Sequence, residues 1–259
     1  MKGTKQRYFD LAKIRENYNL VIDDFDRINE IVSCKRDKFD SFIARNMLHA
    51  YHHLNKHFAA HPGGVMLSWK ELLELNMLVH LGADSDRRND YYGFVKQTEE
   101  RFEERFPTVM KWFDRHEHKG EDPYKIAAGL YVRILAQPQL FIEGNHRTGS
   151  LVANYYLMLK GQNPFVMTID NAVEFLNLAS DVKFTSEYIG SRFKRAIGWR
   201  DELSRMRSFL SKNTQAFTTE VMPRWTPDLY EQQETEDVQK LFRKRKPPPH
   251  EERQHGRKA

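Results

Sequence analysis

The sequence predicts a mostly α-helical protein, and three observations carry that prediction. Apolar residues recur at helical spacing along most of the chain, no Asn-Gly turn joins two alternating runs, and no internal repeat is present. With 40% apolar and 30% charged residues, the composition suits a folded chain. At 259 residues there is enough chain for one large core or two small ones. No run approaches the roughly 18 apolar residues of a membrane helix, and the first residues lead into no signal-peptide core. A soluble, cytoplasmic protein without a membrane partner is expected, with secretion into a host cell or nuclear entry left open.

The spacing predicts helices over about 5–31, 38–60, 68–82, 90–105, 107–117, 122–137, 145–160, 169–180, 187–213 and 232–244. Between the first two lies Cys34, the single cysteine, which excludes an internal disulfide and reads as a small buried hydrophobe. In the second helix His49, His53, His57 and His61 recur every fourth residue, beside His52. Two such imidazoles can chelate a transition metal, but with no acid or cysteine adjacent they read as surface histidines. The run His61-Pro62-Gly63-Gly64 breaks the helix, and Ser68 with Glu71 three residues on forms a capping box. The stretch Asp84–Asp90 reads as exposed and polar, Tyr91–Phe94 as a helix start or a flap, and His116–His118 as a polar turn. Gly161–Pro164 stops the helix before it, Phe165–Met167 is short and extended, and Asp201–Leu210 is amphipathic. Trp69, Trp112, Trp199 and Trp225 carry no functional signal.

Net charge is +5, which invites a nucleic-acid reading until the charges are placed. Residues 240–259 hold eight Lys/Arg and two Asp/Glu, leaving 33 basic and 34 acidic groups of the chain's 41 and 36 elsewhere. The basic character belongs to the tail, where Arg243–Lys246 followed by three prolines predicts a disordered end. Nucleic acid is therefore not an expected partner except through that tail.

The segment Gln139-Leu140-Phe141-Ile142-Glu143-Gly144-Asn145-His146-Arg147-Thr148-Gly149-Ser150 differs in kind from its surroundings. An apolar helix ends at Pro138 and a second begins after a short loop. Gly144-Asn145 can turn successive backbone N–H groups toward one spot, and the following helix adds unpaired donors and a dipole. A cation in the first turn, Arg147, costs the helix a few tenths of a kcal/mol, so something negative should offset it. Glu143 is a candidate metal ligand. The alternative is a plain junction in which Asn145 caps the helix and Glu143 pairs with Arg147.

This loop resembles the signature of the Fic/Doc family: His-Pro-Phe, a variable residue, Asp or Glu, Gly-Asn-Gly-Arg, two variable residues, and Arg. Phe141, Glu143, Gly144, Asn145 and Arg147 match, and the approach helix from Asp122 to Tyr131 is also similar, over about residues 120–168. The resemblance implies an all-α Fic-type domain with extra helices at both ends and at most a short β-hairpin flap. Its organisation would be N-terminal helices over 1–65, a core over 66–200, C-terminal helices over 201–243 and a tail over 244–259. It implies a nucleotide such as ATP with Mg2+ as ligands, Gly144, Asn145, Arg147 and Ser150 around the phosphates, Glu143 on the metal, and a protein target. Ser41–Asn46 has the spacing of the family's inhibitory helix, with Arg45 at its glutamate position.

The departures fall on the working positions. Gln139 stands where the family has its catalytic histidine, and an amide cannot accept a hydroxyl proton near neutral pH. Losing a general base costs about two to four orders of magnitude in rate. Ser150 replaces the second arginine and His146 the glycine after the asparagine. Arg45 can supply positive charge from the opposite side, and His146 is a candidate displaced base or phosphate contact. Two functions stay open: a pseudoenzyme or regulator that binds a phosphate-bearing ligand, and a divergent transferase moving a nucleoside monophosphate onto a protein hydroxyl. A helical scaffold with an empty loop is the third.

Overall fold

A computed structural model of the protein describes residues 6–185 and 192–225, side chains of 192–200 excepted. All its elements fall in one unit, Met1–Trp225. The predicted helix over 232–244, the basic tail and the side chain of Trp199 lie outside the described residues. The order is β1 (Tyr8–Phe9), α1 (Leu11–Ile31), α2 (Ser41–Ala60), α3 (Trp69–Leu81), α4 (Ser85–Asp90), α5 (Tyr92–His118), α6 (Pro123–Leu135), α7 (Asn145–Leu159), α8 (Ile169–Phe184), α9 (Arg192–Asn213) and β2 (Thr218–Thr219). The protein is all-α apart from β1 and β2, which pair antiparallel with Tyr8 opposite Thr219 and Phe9 opposite Thr218. No described helix is long and apolar enough to cross a membrane.

Helix α6 is the centre. Every residue from Ile126 to Val132 is buried, and α6 packs on α5, α7, α8 and α9. Trp112 of α5 lies so close that a Cβ on Gly129 would fall 2.0 Å from its ring, so the crossing depends on a missing side chain. Asp122 caps α6 by accepting from the Lys125 N–H, and Pro123 fills the first turn, where an amide has no helical partner anyway.

Buried asparagines tie the remaining segments to this core. The Asn55 amide bonds both the N–H and the carbonyl of Phe9, and Asn154 does the same for Phe165. Each side chain acts as a one-residue sheet partner, so irregular backbone is buried with its polar groups satisfied. Phe165, expected in an extended segment, also bridges Thr214.

Several expectations need correction. Helix α1 begins at Leu11 and not near residue 5, because Tyr8–Phe9 pair as a strand and Asp10 caps the helix. The predicted break at Pro107 is absent. Helix α5 runs through it because one apolar stripe, Thr98, Phe102, Val109 and Phe113, is buried on both sides of the proline. Asp84–Asp90 is mostly exposed as expected, yet Asp84 caps a short helix by accepting from Asp86 and Arg87. Tyr91–Phe94 is a helix start with Tyr92 exposed, not a hairpin. His116–His118 are the last turn of α5, not a separate turn. Cys34 is only half-buried.

Of the α2 histidines, expected on the surface, His57 is buried and His49, His52 and His53 are half-buried. The His57 Nε2 lies 3.1 Å from Glu71 Oε1, and Trp225 packs at a tilt against His49 and His52. Burial, then Arg45 and neighbouring cations, push His49 down to about 4. No group of three metal-ligating residues comes together among the described residues.

Candidate anion-binding loop

The loop between α6 and α7 is held from below before any ligand is considered. Phe141 is fully buried and stacks on Phe102 at 5.3 Å with planes 8° apart. Asn145, 4% exposed, accepts from the Phe141 N–H at 2.8 Å and donates to the Phe141 carbonyl at 2.9 Å. Its side chain therefore braces the loop rather than capping α7, and the residue at the cap position is Gly144, at φ +76°. That left-handed conformation suits a residue without a Cβ.

Asn76, projecting from α3, secures the other flank. Its Nδ2 donates to the Glu143 carbonyl at 2.9 Å and to Thr148 Oγ1 at 3.0 Å. No sequence motif pointed to Asn76. The available signal was a polar residue inside the apolar stripe of Leu72, Leu75 and Val79.

With the loop braced by side chains, its amides remain unused. The N–H groups of Glu143, Gly144, Asn145 and His146 donate to no protein acceptor among the described residues. The Thr148 amide closes a bond onto the Gly144 carbonyl. A run of unpaired donors about a left-handed residue, at the positive end of a four-turn helix, is a concavity suited to an oxyanion.

The other predicted site residues are placed as follows. Arg147 Nη1 donates to the Val79 carbonyl at 2.6 Å, so the negative end of α3 offsets part of the cost of a cation in the first turn of α7. Glu143 is exposed and forms no ion pair among the described residues, so the plain junction with a Glu143–Arg147 pair and an Asn145 cap is not the structure. Ser150 Oγ donates to the Arg147 carbonyl at 2.8 Å, which leaves its oxygen able to accept. Gln139 is half-buried and its Nε2 donates to the Leu135 carbonyl at 3.2 Å. Arg45 lies on α2 with its guanidinium 5.4 Å from the Phe42 ring, and Arg87 of α4 covers the same ring at 4.7 Å. The loop is bonded to α3 through Asn76 and Arg147.

His146 turns inward. Its ring packs on Phe175 at 4.8 Å and edge-on to Tyr131 at 5.9 Å, with Nε2 buried and unpartnered. Burial, reinforced by Arg36, Arg147 and Lys183, pushes it down to about 3, so near neutral pH the ring carries no charge.

No protein-family model matches this chain, and no curated protein does. Among solved structures it is similar to a Fic domain containing signaling protein from Bacteroides thetaiotaomicron VPI-5482. The two are 13% identical with a TM-score of 0.44, over 79% of this chain and 93% of that one.

Proposed function

We propose that this chain is a Fic-type protein with a degenerate loop, which holds a nucleotide or other phosphate-bearing ligand at the start of α7 without standard AMP transfer. The observation that supports this reading most is the run of unused N–H groups from Glu143 to His146 around left-handed Gly144. The phosphates sit on those amides, with Arg147 beside them and Ser150 one turn further along α7. Arg45 adds positive charge from the α2 side. A magnesium ion is bound by one or two carboxylates together with phosphate oxygens, so the single exposed Glu143 carboxylate fits it. When bound, the ion supplies neutralisation of phosphate charge.

Neither candidate base supports transfer. The Gln139 amide has no basic nitrogen and is bonded to Leu135. The Nε2 of His146 is buried, and a base must come within hydrogen-bond reach of the proton it takes. A regulator or pseudoenzyme acting on a protein partner fits better than a divergent transferase.

Calorimetry with ATP, with and without Mg2+, tests the binding. Labelled nucleotide added to lysate with the wild type and with Gln139→His tests the transfer. The expected result is binding without labelling by the wild type. Failure of every nucleoside triphosphate to bind overturns the proposal, and labelling by the wild type replaces it with the transferase reading.

A further inference from the structure

Three buried polar atoms with no hydrogen-bond partner among the described residues come from separate parts of the chain: Nε of Arg36, the hydroxyl of Tyr131 and Nε2 of His146. Arg36 belongs to the α1–α2 connection, Tyr131 to α6 and His146 to α7. One stretch of α8 gathers them. Phe175 touches the Tyr131 ring at 5.9 Å and the His146 ring at 4.8 Å. Immediately after it, the Leu176 carbonyl and Ser180 Oγ accept from Arg36 Nη2 at 2.6 and 2.5 Å.

An unsatisfied buried polar group costs about 1–3 kcal/mol, and three from residues that border one stretch of α8 call for an occupant. The charges identify its sign. Among the described residues Arg36, Arg147 and Lys183 act on His146 and no carboxylate does, and Arg36 forms no ion pair. Tyr131 is 1% exposed and its hydroxyl is a donor, as is the Arg36 Nε–H. A neutral imidazole donates from Nε2 in one of its two tautomers. Three donors in a region of positive potential, with no acid to neutralise it, are a site for an oxyanion.

We propose that Arg36, Tyr131 and His146 form an inner oxyanion site that takes a phosphate-class anion, either inorganic phosphate or a phosphate monoester. It does not depend on the reading of the loop. Arg36 supplies the charge and a directed donor, which favours phosphate and carboxylate groups over halide. Tyr131 and His146 add neutral donors from two other elements, and a tetrahedral anion offers oxygens in enough directions to meet all three. The anion links the α1–α2 connection, α6 and α7 through one centre, so its binding stiffens the support on which the first turn of α7 rests.

The test is titration of the whole chain with inorganic phosphate, and separately with a phosphate monoester, followed by thermal unfolding and by histidine side-chain 15N NMR. The His146 signal is assigned by its loss in His146→Gln. Phosphate should raise Tm and shift the His146 Nε2 resonance, and Arg36→Met should weaken the apparent affinity at least tenfold. Tyr131→Phe removes only the orphaned hydroxyl and keeps the test alive if Arg36→Met fails to fold. Without phosphate it should be as stable as the wild type or more so, and with phosphate it should gain less. Gly144→Ala should keep the response at His146 whatever it does to nucleotide binding, which separates this site from the loop. An absent response, an equal response to acetate, or an undiminished response in Tyr131→Phe overturns the proposal.

Discussion

Asn76 occupies the space that a side chain at Gly144 would need, since a Cβ on residue 144 would come 2.9 Å from Asn76 Nδ2. The same nitrogen donates to the Glu143 carbonyl, so the missing side chain and the hydrogen bond belong to one arrangement. Gly144→Ala should therefore lose on two counts, a strained φ and a displaced Asn76, at about 1–3 kcal/mol. Combining it with Asn76→Ala removes the clash, so the double variant should be less destabilised than the two single losses added together. Urea unfolding of the four proteins reads this coupling, and strict additivity counts against it.

Asn145 gives a different prediction, because its side chain is consumed by the loop's own backbone. Asn145→Ala strands the N–H and carbonyl of buried Phe141, at a cost of about 3 kcal/mol. Asn145→Asp keeps an acceptor for the N–H but loses the donor, and should fall between. If chemical unfolding shows the alanine variant within about 0.5 kcal/mol of wild type, the brace is not what holds the loop, since a change that small is what a surface substitution gives.

The placement of the loop was legible because its signal is local: Gly144-Asn145 at a break between two apolar helices can be read from a dozen residues. Its supports were not, since they come from far along the chain. Asn76 looked like one polar residue in an apolar helix, and the Val79 carbonyl that receives Arg147 has no side-chain signature at all. A cation in the first turn of a helix needs something negative beside it, and for Arg147 part of that negative charge is the end of α3. The direction of His146 was not legible for the same reason, as it is set by Phe175 and Tyr131. Pro107 shows the converse, a strong local breaker overruled by an apolar stripe that continues past it.

The crossing of α5 over α6 offers a test away from the loop. A Cβ on Gly129 would sit 2.0 Å from the Trp112 ring, which Arg133 covers from 4.7 Å and His116 stacks on at 4.3 Å. Gly129→Ala raises helix propensity, and in an open position it would stabilise α6 by up to about 1 kcal/mol. Here the displaced ring should reverse the sign and cost about 1–3 kcal/mol. Thermal unfolding with tryptophan fluorescence reports both the loss and the movement of Trp112, and a stabilised variant contradicts the packing.

His146 predicts a pH dependence whose sign follows from burial. Its pKa falls from 6.5 in the unfolded chain to about 3 in the folded one, so the unfolded state binds the proton more readily. The resulting stability is present in full above about 6.5 and is lost as pH falls through the window toward 3. Carboxylates and His49 also titrate on the way down, so the wild-type curve alone does not isolate the effect. The difference between wild type and His146→Gln does, because those groups are common to both. Wild-type stability relative to the variant should decline steadily between about pH 6.5 and pH 4.5, with urea unfolding as the measurement. A flat difference places the imidazole in contact with solvent, and then the inward packing on Phe175 and Tyr131 is wrong.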